Sequence, residues 1–141
     1  MLKSTTTLCA VMTLGIAACT TADMPPPTND SADTCPVISS TGWAATVTPV
    51  PGNADRSMLT VTGKVTMPTP EYTFAWSPGR LDRSAVPSFE LRLEARAPDG
   101  MVAQILDERE VTYSGPAAAP SYSAITVTCE GRVLGRIEGV S

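Results

Sequence analysis

Histidine is absent from this chain, and lysine occurs only at Lys3 and Lys64. Without an imidazole there is no serine–histidine or cysteine–histidine couple and none of the commonest zinc sets. Nor is there a side chain whose ordinary pKa lies near neutrality. Aromatic residues make up only 5% of the chain and the formal charge is −4. The sequence therefore offers neither the stacking surface nor the basic footprint of a nucleic-acid binder. The same acidic balance adds no electrostatic grip on anionic lipid. No apolar run reaches the roughly 20 residues that a spanning helix needs. No Gly-rich phosphate loop stands at a strand-to-helix junction. Ser57 and Lys64 lie seven residues apart along a strand and its approach, so they face opposite ways and do not make a serine–lysine dyad. No cofactor and no metal is implied, and the chain reads as a non-enzyme.

What is present starts with an address. Met1 and Lys3 form a short positive segment, and Leu8 to Ala18 is an apolar run of the length of a secretory signal core. The run ends in Leu14-Gly15-Ile16-Ala17-Ala18-Cys19. This stretch resembles the lipobox of bacterial lipoproteins: an aliphatic residue, two small residues, then a cysteine. Ile16 stands where leucine is commoner. The resemblance covers residues 1–19 only. It implies that residues 1–18 are a signal peptide and that Cys19 carries acyl chains, palmitate among them. More than one chain makes such an anchor stable. Thr20 stands where an aspartate would favour the inner membrane, which implies the outer membrane of a two-membrane bacterium, facing the periplasm. The competing reading is an ordinary signal peptide whose cysteine is incidental.

Removing 18 of the 141 residues leaves 123, one domain and a tether. Residues 19–34 are the tether: Pro25-Pro26-Pro27 favours polyproline II, and Asn29 to Asp33 is polar and acidic. Its 15 residues after Cys19 can reach about 45 Å. Of the four cysteines, Cys9 leaves with the signal and Cys19 is the lipid site. Cys35 and Cys129 remain as an even pair in an oxidising compartment, and a disulfide between them is expected. Such a bond would stabilise the domain by roughly 3–5 kcal/mol through loop-closure entropy. Two buried free thiols are the alternative.

The domain, residues 35–141, reads as strands. Trp43 to Thr48 puts Trp43, Ala45 and Val47 on one face. Pro49 to Ser57 has turn chemistry. Met58 to Met67 alternates Leu59, Val61, Gly63, Val65 and Met67 inward, and Gly63 suggests a bulge. Tyr72, Phe74 and Trp76 share a side. Phe89 to Ala97 alternates strictly with Glu90, Arg92, Glu94 and Arg96, the pattern of a half-buried antiparallel strand. A return strand is expected from Met101, after Pro98-Asp99-Gly100, with a kink near Asp107. Tyr122 to Cys129 and Arg132 to Val140 flank a tight hairpin at Glu130-Gly131. The fold expected is all-β, an antiparallel β-sandwich of 7–8 strands, immunoglobulin-like in architecture only. The long Cys35-to-Cys129 spacing and Val127 in place of a tyrosine set it apart from true immunoglobulin domains.

The function expected is that of a membrane-anchored envelope lipoprotein with a non-catalytic domain for protein binding or envelope structure. The alternative is an inhibitor of secreted or periplasmic proteases that presents an exposed loop. Ser77 to Ser88 has no period and carries Arg80 and Arg83, with Trp76 at its base as an aromatic anchor, so these three form the candidate partner-binding set. The partners expected are the membrane, through lipid on Cys19, and an envelope protein. Asp107, Glu108 and Glu110 form the one dense acidic cluster, read as a charged strand edge that discourages sheet pairing rather than a calcium or glycosidase site.

Overall fold

The computed structural model describes residues 34–141. The signal peptide, Cys19 and nearly all of the tether lie outside the described residues. Seven strands follow in order: β1 (Ser39–Val50), β2 (Asn53–Met67), β3 (Thr73–Leu81), β4 (Ser88–Arg96), β5 (Asp107–Pro116), β6 (Tyr122–Cys129) and β7 (Arg132–Val140). They form two sheets, β1-β2-β5 and β3-β4-β6-β7, with no helix among the described residues. This is the expected β-sandwich. Its inner faces carry the alternating residues anticipated from the period of two: Leu59, Val61, Val65 and Met67 from one sheet meet Leu91, Leu93, Ile125 and Val127 from the other. Each of these side chains is at most 1% exposed.

Four strand pairs are antiparallel, and one, β4 with β6, is parallel. Topology explains the exception. The chain leaves β4 for the opposite sheet, runs back along β5, and crosses again to β6, so two reversals restore the direction of β4.

Several boundaries differ from the sequence expectation. β1 starts at Ser39 and β2 already at Asn53, because the turn is confined to Pro51-Gly52. β3 continues through Pro78 to Leu81, which leaves only residues 82–87 as loop. Proline is tolerated there and at Pro49 because β1 and β3 are sheet edges, where one row of N–H groups needs no ladder partner. No return strand forms at Met101. Residues 97–106 are instead a crossover between the sheets, and the strand starts at Asp107. The bulge lies opposite Gly63 rather than on it: the register of β1 on β2 shifts between Thr41 and Ala44. Gly42 supplies the left-handed residue of that bulge, with φ 67°.

Cys35 and Cys129 form a disulfide with Cα atoms 5.4 Å apart. It joins the start of the domain to the end of β6. Arg132 donates to the Val37 carbonyl, and Ser40 Oγ donates to the Leu134 carbonyl at 2.8 Å. These bonds close the β1/β7 side of the sandwich. They also define its two poles. The chain enters at one pole, where the 97–106 crossover and the β6–β7 hairpin lie. The 51–52 turn and the 82–87 loop lie at the other.

Candidate functional site

The outer face of the four-stranded sheet carries the charged half of the β4 alternation. Glu90 stands beside Thr126, and Thr126 beside Arg136 on the next strand. Together with Arg80, Asp82 and Thr128 they line an open groove of about 350 Å³. Arg92 Nε pairs with Glu90 Oε1 at 3.1 Å, and Thr128 Oγ1 donates to the same oxygen at 3.3 Å. These bonds, the Arg92 one foremost, hold the Glu90 carboxyl below its ordinary pKa. Arg136 Nε pairs with Glu138 Oε1 at 3.1 Å, and Ser77 Oγ donates to Glu94 Oε1 at 2.7 Å.

At the end of the groove the 82–87 loop is braced by a single side chain. The Ser84 amide donates to Asp82 Oδ1 at 2.9 Å, and the Ser88 amide donates to Asp82 Oδ2 at 3.0 Å. Ser88 Oγ donates to the same Oδ2. The Asp82 amide in turn donates to the Ser88 carbonyl at 3.1 Å, which closes the loop base. These bonds, the Ser88 hydroxyl foremost and Ser84 next, hold the Asp82 carboxyl well below the usual carboxylate range. Asp82 and Glu90 are therefore anions at neutral pH: they offer acceptors, not protons.

The three candidate partner residues do not share one surface. Trp76 faces inward, half-buried, edge-on to Trp43 at 6.5 Å and to Tyr113 at 6.0 Å between ring centroids. It packs between the sheets, on the opposite side of β3–β4 from the groove. Burial in the same cluster raises the Tyr113 pKa, with the nearby Tyr122 as the lesser cause. Arg80 lies at the end of β3 on the groove and Arg83 on the 82–87 loop. Both are exposed, and neither makes an ion pair among the described residues. Leu81 and Val86 stay 39% and 47% exposed, so the loop does not anchor itself by packing them down.

Asp107, Glu108 and Glu110 lie on β5, an edge of the three-stranded sheet. Arg109 neutralises Asp107 at 2.7 Å and Lys64 reaches Glu108 at 3.6 Å. Among the described residues no three histidine, cysteine or acidic side chains gather as a metal set.

Sequence reasoning passed over Asp82, Thr126, Thr128 and Arg136. Asp82 had a local signal, an Asx turn onto the serine two residues on. Arg136 had none, because its place in the Glu90–Thr126 row depends on the parallel β4–β6 pair. The groove amounts to a shallow field of opposed fixed charges next to a braced loop, suited to recognising a charged surface. No family model, no curated protein and no solved structure matches this chain.

Proposed function

We propose that this protein is an envelope lipoprotein, acylated at Cys19, whose β-sandwich binds another protein without catalysis at the pole away from the membrane. The observation that carries this reading is polarity. The chain enters at Cys35, and the Arg80–Arg83 surface lies at the far end of β4, whose nine residues span about 30 Å. A tether on one pole leaves the other free. Two unpaired guanidinium groups there favour a partner with exposed carboxylates, which they can bind in fork geometry.

The test has two parts. Mass analysis of the mature N-terminus should find acylated Cys19, and Cys19→Ser should move the folded domain out of the membrane fraction. Crosslinking in intact envelopes should capture a stable partner, with capture reduced by Arg80→Ala with Arg83→Ala and a melting temperature unchanged within about 1–2 °C. An unmodified N-terminus, or capture that survives the double change but fails with changes at Glu94 and Arg96, rejects the reading.

Protease inhibition is the second reading. It is favoured by the Asp82 brace, because a loop already held in one conformation loses less entropy on binding. A protease as the captured partner would select it.

A further inference from the structure

The crossover from β4 to β5 is the most apolar exposed segment among the described residues. From Gly100 to Leu106 it holds no charge, and Gln104 is its only polar side chain. Met101 is fully exposed, and Ile105 and Leu106 are 64% and 65% exposed. A surface connection is ordinarily polar, and singly scattered apolar side chains need no explanation. These are contiguous, and they have neighbours. Asp107 pairs with Met67, and the next row aligns Glu108, Thr66 and Ser39. Ile38 donates its amide to the Thr66 carbonyl at 2.9 Å and is itself 53% exposed. It therefore lies about two strand spacings, about 10 Å, from the start of β5. Val133, just past the β6–β7 hairpin, adds a further exposed apolar side chain at this pole.

This is the pole at which the chain enters. We infer that the Met101–Leu106 segment, with Ile38 beside it, seats in the surface of the bilayer to which the chain is tethered. The inference rests on the lipid-anchor reading of Cys19. Only 15 residues separate Cys19 from Cys35, so an acylated Cys19 holds the crossover at high effective concentration over the lipid. A patch too small to bind membranes unaided is then sufficient. Asp99 and Asp107 bracket the segment, and the cations beside the start of β5, Arg109 and Lys64, are already paired with Asp107 and Glu108, so the surface that fits is a zwitterionic one, not an anionic one. Seating this pole turns the Arg80–Arg83 surface outward.

The full chain, reconstituted in phosphatidylcholine vesicles, carries the test. Ile105→Trp adds an indole to the crossover, while native Trp43 and Trp76 pack between the sheets and give the baseline. In acyl-brominated phosphatidylcholine the added emission should fall at least about twofold and lie to the blue of its value in detergent-free buffer. Leu106→Trp should behave alike. Adding Met101→Asp and Leu106→Asp to the Ile105→Trp chain should abolish the quenching while the acylated chain stays on the vesicles. Unquenched, water-like emission from an acylated, vesicle-bound chain overturns the inference and leaves the anchor standing. Quenching indifferent to the two aspartates overturns it equally. A chain without acyl groups that leaves the vesicles instead removes the anchor, and the inference with it.

Discussion

The indole of Trp43 lies against the bare backbone of Gly63: a Cβ on that glycine would sit 2.5 Å from ring carbons Cδ2 and Cζ3. Gly135, on β7 of the other sheet, approaches the same indole so closely that a Cβ there would lie 2.7 Å from Cγ and Nε1. The ring is thus clasped between two glycines from the two sheets, with Nε1 donating to Ser40 Oγ at 3.1 Å. The Gly42 bulge swings Trp43 into this slot. Gly63→Ala should cost about 1–3 kcal/mol by overpacking. In a Trp43→Leu background the same change should cost much less, because the clash partner is gone. Urea midpoints of the four chains measure this coupling, and an equal cost in both backgrounds would show that the indole is not what Gly63 accommodates.

The Cys35–Cys129 bond closes a loop with a sequence separation of 94. Loop-closure entropy assigns such a bond roughly 4–5 kcal/mol. Replacing both cysteines by alanine should lower the unfolding free energy from urea titration by that order while the far-ultraviolet spectrum stays that of a sheet, since the core is otherwise complete. A variant as stable as the parent would mean that the bond contributes nothing.

Asp82 should make the 82–87 loop sensitive to acid. Its folded pKa is depressed, so its contribution is fully present above the unfolded value near 4 and is lost as pH falls toward the folded value. Hydrogen exchange at the Ser84 and Ser88 amides, corrected for intrinsic rates, should be slow at pH 6 and faster below about pH 3. Asp82→Ala should show the fast behaviour at every pH, with little change in global stability because the bonds it makes are confined to the loop. Protection unaltered by the substitution would show that the backbone holds the loop unaided.

β5 presents Glu108 and Glu110 along a free sheet edge. Charges there deter another strand from adding to the sheet. Glu108→Val with Glu110→Val should leave urea stability within about 1 kcal/mol, because exposed ion pairs such as Lys64–Glu108 contribute little. It should nevertheless make the protein self-associate with rising concentration. Light scattering that stays at the monomer value would assign these carboxylates no protective role.

Which residues face inward was legible from one local rule. Successive strand side chains point to opposite faces, so Phe89, Leu91 and Leu93 declared a buried face without reference to any neighbour. The pairing of Cys35 with Cys129 was likewise legible, because only two cysteines remained once Cys9 and Cys19 were assigned elsewhere. Turn chemistry located the β6–β7 hairpin, where Glu130 and Gly131 take φ of 47° and 79°.

What the period of two cannot report is the partner across the gap. Ser77 to Ser88 looked like loop because it has no period, and β3 runs on through Pro78 only because a proline is harmless on a free edge. Trp76 read both as an inward residue beside Tyr72 and Phe74 and as the base of a surface loop, and it is core because Trp43 and Tyr113 of the opposite sheet cover it. The crossover at 97–106 looked like a hairpin because the Pro-Asp-Gly turn is local, whereas the choice to cross is made by burying both inner faces at once. The same non-local demand set β6 parallel to β4, and so put Thr126 and Arg136 in one row with Glu90 and placed Cys35 and the Arg80–Arg83 surface at opposite poles. Side-chain alternation is a property of one strand, and strand order is a property of the whole core.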